Sequence, residues 1–127
     1  MHAPKVPDTI RLDEKLALVE RLWTPHRIAR FDDHQLFLAR LEGDFVWHRH
    51  EDHDEVFLPL SGTLFVDFED GTTRRVGPGE LLVIPAGLPH RPRTDGEPVA
   101  MLAIDPMDVR HTGEVESERT VHEFPEI

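Results

Sequence analysis

From Leu12 to Trp23, apolar residues recur at positions 12, 16, 19, 22 and 23. That spacing predicts a short helix with one apolar face, started at Thr9 or Asp13. Thr24-Pro25 ends it, because proline disfavours helix at the residue before it. The helix is expected to lie on the outside or across one end of a larger domain, and nothing in it suggests chemistry. The residues before it hold two prolines and no periodicity, which predicts an extended lead-in.

After Pro25 the pattern changes to short apolar or alternating runs. They fall at Arg27–Phe31, Gln35–Leu41, Phe45–His50, Val56–Leu60, Thr63–Phe68, Thr72–Val76, Leu81–Ile84 and Pro98–Ile104. Turn residues separate them: Asp32-Asp33, Gly43, Ser61-Gly62, Asp70-Gly71, Gly77-Pro78-Gly79 and Pro85-Ala86-Gly87. Evenly spaced short strands with turn signals predict an all-β sandwich or barrel. Asp70-Gly71 is the best single hairpin turn, since glycine supplies the positive φ that a tight turn needs. Leu81–Ile84 is wholly apolar and reads as a strand buried on both faces. Beyond Asp105 the rhythm fades, and Asp108–Thr120 is polar. Three segments follow: 1–26 as lead-in and helix, 27–105 as β-barrel, and 106–127 as a C-terminal arm.

A chain of 127 residues with 39% hydrophobic content can build one compact core. Its formal charge of −11 repels phosphate backbones and anionic lipid surfaces, so neither nucleic acid nor a membrane is an expected partner. No apolar run has the length of a membrane span and the N-terminus lacks a signal-peptide pattern, so the expected location is the cytoplasm. The absence of cysteine excludes disulfides, thiolate catalysis and zinc-thiolate sites. Any metal site must therefore use histidine nitrogen and carboxylate oxygen.

The stretch VWHRHEDHDE, Val46 to Glu55, concentrates such groups. On a strand, residues two apart share a face, so Val46, His48 and His50 point one way while Phe45, Trp47 and Arg49 point the other. Two imidazoles on one face can converge on one ion. If Glu51–Asp54 turns the chain back, Glu55 meets them across the strand pair, with Phe57 in phase. Further on, the rigid Pro85-Ala86-Gly87-Leu88-Pro89 turn presents His90.

Here the sequence resembles the cupins, a family of small β-barrels. The first cupin motif runs from glycine through His-x-His and Glu to a second glycine. It is matched by Gly43, His48-Arg49-His50, Glu55 and Gly62, with one residue fewer than usual between Gly43 and His48. The second motif is matched by Gly79, Pro85-Ala86-Gly87 and His90, with Thr94 at the position where the family carries asparagine. The resemblance implies a double-stranded β-helix, or jelly-roll, barrel preceded here by the short helix. It also implies a metal held inside by His48, His50, Glu55 and His90. A divalent transition metal such as Fe, Mn, Ni or Zn suits that donor set. Since ligating histidines must be neutral, affinity is expected to fall as pH drops toward 6.

Other candidates receive plainer readings. His53 and the acids Glu51, Asp52 and Asp54 read as a solvated turn. His2, His26, His34, His111 and His122 read as surface. Trp47 reads as packing away from the site, Arg40, Arg91 and Arg93 as facing out, and Phe57 as either pocket wall or core. No Ser/His/Asp constellation is present, and no second carboxylate in the motifs is placed as a general base, so no catalytic residue is assigned. Two functions remain open. One is a metal-dependent enzyme acting on a small polar molecule, of dioxygenase, isomerase or lyase type. The other is a non-catalytic barrel that binds or senses a sugar or similar small ligand. Small cupin barrels commonly pair, so a homodimer is expected, with the helix and the arm helping to cover sheet edges.

Overall fold

The computed structural model describes residues 3–107 and 123–127. It contains one short helix, α1 (Leu12–Leu16), and eight strands: β1 (His26–Phe31), β2 (His34–Leu41), β3 (Glu55–Ser61), β4 (Leu64–Phe68), β5 (Thr73–Val76), β6 (Leu82–Ile84), β7 (His90–Arg93) and β8 (Val99–Pro106). They form an antiparallel five-stranded sheet in the order β1-β2-β8-β3-β6 and a three-stranded sheet in the order β5-β4-β7. One hydrophobic cluster draws Phe37, Phe57 and Met101 from the first sheet and Leu64, Val66 and Val76 from the second. Two sheets closed over a shared core make the predicted jelly roll.

The β2–β8 ladder runs unbroken from His34↔Pro106 to Leu41↔Val99 and is the backbone of the large sheet. Along β3 and β8 inward residues alternate with less buried ones, as a strand with one core-facing side requires. The β4–β5 turn uses Gly71 at φ +90°, with the Asp70 carboxylate accepting from Thr72 N–H at 2.8 Å.

Four expectations are corrected. The helix predicted to reach Trp23 ends at Leu16, with Ala17 as its last capping position. Nothing side-chain-mediated caps its start, and the core claims its far end instead. Trp23 takes φ +54°, donates its backbone N–H to Arg40 O at 2.8 Å and stacks on Phe45 with centroids 4.8 Å apart. Its indole N–H donates to Glu42 O at 2.9 Å. A left-handed backbone is costly for a bulky residue, and the stack and two hydrogen bonds offset it. Arg40 is half-buried rather than out in water, and its guanidinium donates to Leu16 O at 2.8 Å, tying down the end of α1.

Next, Phe45–His50 is not a regular strand. Asp44 bridges Arg93 while His48 bridges His90, so this segment spends one more residue than β7 over the same span. Pro92 accepts from Phe45 N–H at 2.9 Å but has no N–H to return, which interrupts the ladder. The extra residue is a bulge, and it turns both Phe45 and His48 inward, overturning the placement of Phe45 opposite the histidines. Finally, Leu81 and Val83 are 58% and 52% exposed, so this run is not buried on both faces. β6 is the edge of its sheet, bonded only to β3; Ile84 enters the core and Leu82 packs partly buried against it.

The proposed arm at Asp108–Thr120 lies outside the described residues. The chain end beyond it runs parallel to β1, with Arg27 N–H donating to Pro125 O at 2.8 Å and Ile127 N–H to Arg27 O at 3.0 Å. Glu126 pairs with Arg27 and Arg30 at 2.7 and 2.8 Å, and Phe124 packs on Phe37 at 4.9 Å.

Candidate metal centre

Four side chains from three parts of the chain meet between the sheets. His48 and His50 come from the bulged segment, Glu55 opens β3 and His90 opens β7. All four are buried. Glu55 Oε1 lies 3.1 Å from His50 Nε2 and 3.2 Å from His90 Nε2. The His48 and His90 rings are 4.4 Å apart, and those of His48 and His50 are 5.1 Å apart. Donor atoms of His48, Glu55 and His90 lie within 4.8 Å of one another, a group that can hold a metal ion.

Local structure fixes the rings. His48 and His90 exchange backbone hydrogen bonds at 3.0 and 2.9 Å. His48 Nδ1 lies 2.9 Å from Val46 O, and His90 Nδ1 lies 2.9 Å from Leu88 O. A carbonyl only accepts, so each Nδ1 carries a proton and each Nε2 is left to face the site. The turn before His90 is tied to the first motif: Gly87 N–H, at φ +81°, donates to His50 O at 2.7 Å. Asp54, which the sequence suggested was only solvated, accepts from Ala86 N–H at 2.8 Å and braces the same turn. Thr94 replaces the family asparagine without loss of order. Its hydroxyl accepts from Gly43 N–H at 2.7 Å, and its own N–H donates to Gly43 O at 2.9 Å.

The electrostatics follow from burial. His50 Nε2, Glu55 Oε1 and His90 Nε2 are buried without a hydrogen-bond partner among the described residues. Two imidazole nitrogens thus crowd one carboxylate oxygen without a hydrogen bond between them. Buried polar atoms are seldom left so, and a cation between them resolves the conflict. The donor set of imidazole nitrogen and carboxylate oxygen fits a divalent transition metal. Burial pushes the His48 imidazole down to about 4, helped by His90 beside it, so this ring is neutral and ready to ligate at pH 7. Burial pushes the Glu55 carboxyl up, but the His50 and His90 Nε2 atoms outweigh it and hold the group well below the usual carboxylate range.

A second carboxyl escaped the sequence reading. Asp105 on β8 sits one step beyond the Val56↔Ile104 pair, beside Glu55. Burial first, then the charge of Glu55, pushes it well above its ordinary value, toward the protonated form. Its Oδ1 has no hydrogen-bond partner among the described residues. The signal was present in the sequence: Val99, Met101, Ala103 and Asp105 share one strand face, which places a carboxyl in phase with core residues. A small cavity adjoins the group, with Phe37, Phe57 and Met101 among its walls and His48, Glu55 and Asp105 as its polar lining. Phe57 is therefore both core and pocket wall, its ring 6.2 Å from that of His90.

Of the remaining histidines, His53 is half-buried, not a free turn residue, with its ring 4.6 Å from that of His50 and tilted by 30°. His26 is buried, contrary to the surface reading, because Pro25 and Thr24 turn it inward and its Nδ1 reaches Thr24 O at 2.6 Å. His34 is partly exposed and pairs with Asp33 at 2.9 Å. His2, His111 and His122 lie outside the described residues. Trp47 points away from the site, under Arg91, and Arg91 and Arg93 bind Asp67 on the outer face.

The model of the cupin domain matches residues 37–105, more than half of the chain and every residue of this site. The chain belongs to the cupin family. Similar proteins bear this out. A cupin-2 domain protein of Shewanella frigidimarina NCIMB 400 has 39% identity and a TM-score of 0.74, over 76% of this cupin and 93% of that chain. The uncharacterized protein YdbB of Bacillus subtilis (strain 168) is 34% identical over 87 residues, 66% of this chain and 77% of its own. An acireductone dioxygenase of Leishmania braziliensis is 41% identical over 63 residues, which span 46% of this cupin but only 18% of that enzyme. No helix among the described residues is long and apolar enough to cross a membrane.

Proposed function

We propose that this cupin is a metal-dependent enzyme in which His48, His50, Glu55 and His90 hold one divalent transition metal (Fe, Mn, Ni or Zn). It acts on a small polar molecule at the metal's remaining positions. The observation that carries this reading is the convergence of two imidazole Nε2 atoms, 3.1 and 3.2 Å from one carboxylate oxygen, all three atoms buried without a hydrogen-bond partner among the described residues. Bound there, the metal supplies Lewis acidity for a carbonyl, an enolate or dioxygen.

The protein's own groups supply the rest. The carbonyls of Val46 and Leu88 fix the tautomers of His48 and His90. Phe57 and the neighbouring aromatic walls keep bulk water from the group. Asp105, held toward its protonated form, puts a hydrogen-bonding carboxyl at the junction of site and cavity. The likeness to an acireductone dioxygenase supports the dioxygenase branch over isomerase or lyase chemistry.

Elemental analysis of protein purified without a metal-affinity tag tests the metal: about one equivalent is expected, lost in His90→Ala. No metal above trace, and none regained on titration at neutral pH, would overturn the proposal. Oxygen uptake by the Fe(II) and Ni(II) forms with a panel of enediols and catechols tests the branch.

A further inference from the structure

The cavity beside the metal group has a volume of about 60 Å³. Its walls are apolar: Phe37, Phe45, Phe57 and Met101, with Ala39 and Ala103 as its small residues. Its polar lining is His48, Glu55 and Asp105. On β2 and β8, Phe37 pairs with Ala103 and Ala39 with Met101, so the space exists because each large side chain is opposed by a methyl group. A cavity of this size exceeds what one water needs, yet falls short of the roughly 150 Å³ that admits benzene. Scaled between those limits, it holds an alkyl group of roughly two or three carbons. An apolar void gives water no partners, while its lining lacks dispersion contacts that an alkyl chain restores.

We propose that this cavity is the specificity pocket of the metal site, and that the ligand is a small oxygen anion, a carboxylate or enolate, carrying a short unbranched apolar tail. The head binds the metal and the tail lies between Phe37, Phe57 and Met101. Ala39 and Ala103 set the permitted length. This rests on the metal-centre reading for the head and on the cavity alone for the tail.

Two measurements keep those parts separate. In the first, cobalt(II)-loaded protein is titrated with formate, acetate, propanoate, butanoate and hexanoate, read by the visible cobalt bands. From formate to butanoate, affinity is expected to rise about fourfold per carbon and then to stop or fall at hexanoate. Ala103→Leu, and independently Ala39→Leu, should abolish that rise while leaving formate affinity and cobalt content unchanged. A flat series in the native protein, or a rise that survives both leucines, overturns the pocket. In the second, crystals of the metal-free protein are pressurised with xenon, which needs no metal. Xenon between Phe37, Phe57 and Met101 in the native protein supports the pocket, and its absence overturns it. If cobalt does not bind, the metal reading fails and the xenon result alone decides the pocket. If a leucine variant does not fold, the native acid series and the xenon site still decide.

Discussion

Protonating His48 should destabilise the metal-free protein in a pH window that no surface histidine would produce. Its imidazole sits at about 4 in the folded state against 6.5 when free, because burial between the sheets penalises the charged ring. The folded chain therefore binds fewer protons than the unfolded chain between those two values. Stability contributed by the neutral ring is complete above pH 6.5 and is lost as pH falls toward 4. At about 1.36 kcal/mol per pH unit, the loss approaches roughly 3 kcal/mol by pH 4, a large part of a small domain's total. Two neighbours act differently. Glu55, whose folded value is depressed, loses its contribution only as pH falls below the ordinary carboxylate range. Asp105, whose folded value is raised, has the opposite sign and favours the folded state as pH falls. Comparison with His48→Gln, which keeps a polar side chain but cannot titrate, separates the histidine from both. Urea unfolding of chelator-treated protein at pH 7, 6, 5 and 4.5 should show the native chain losing its margin over the variant at up to about 1.4 kcal/mol per unit. A margin that stays constant across that range, or widens on acidification, would refute the reasoning.

Three further outcomes follow from the same structure. Asp67 accepts from Thr73 Oγ1 at 2.7 Å, Arg91 Nη2 at 2.9 Å and Arg93 Nε at 2.8 Å; Asp67→Asn should cost about 1–2 kcal/mol in chemical denaturation. Burial pushes that carboxyl up, but Arg93, Thr73 and Arg91 outweigh it and hold it below its ordinary 3.8, so its contribution is present above that value and the native-to-variant gap should close as pH falls below it. Thr94→Val leaves Gly43 N–H without its 2.7 Å acceptor and should cost about 1–2 kcal/mol with little change in volume, read as a lowered urea midpoint. Trp23→Ala removes a buried ring stacked on Phe45 and should cost about 3–5 kcal/mol; a cost under 1 kcal/mol would mean that the segment after α1 is not part of the core.

The barrel was readable because its strands carry a local signature, alternation bounded by Gly, Pro and Asp. The four site residues were readable through the two cupin motifs, where the separations between His48, His50, Glu55 and His90 are set by strand phase and a rigid turn. The misreadings share one cause: a local pattern outvoted by tertiary contact. The apolar spacing that suggested a helix to Trp23 describes an indole taken into the core through a left-handed turn. Leu81–Ile84 is apolar throughout, yet composition cannot tell a central strand from an edge. Phe45 was misplaced because strand phase holds only without a bulge, and the bulge lies opposite Pro92, which is remote in sequence and has no N–H to return. Asp105 was missed because its meaning depends on Glu55 across the β3–β8 pair.

The bulge is also what makes the site workable. In a regular strand, Phe45 would face away from His48, and the wall beside the imidazoles would lose a ring. With one extra residue, Phe45 and His48 both turn inward, their rings edge to face at 5.4 Å, and the same segment supplies an apolar wall and a polar donor. The site is thus sharply divided. One imidazole and two carboxyls, His48, Glu55 and Asp105, supply the polar lining of the cavity, and phenyl rings and methyl groups line much of the rest. Low polarity on that side raises the cost of leaving the buried polar atoms of His50, His90 and Glu55 uncompensated. It also strengthens any charge interaction made among them. The expectation that metal affinity would decline toward pH 6 assumed ordinary histidines. At His48 the surroundings that make the pocket apolar move that competition down to about 4, so proton and metal should contend for this ring only in distinctly acid solution.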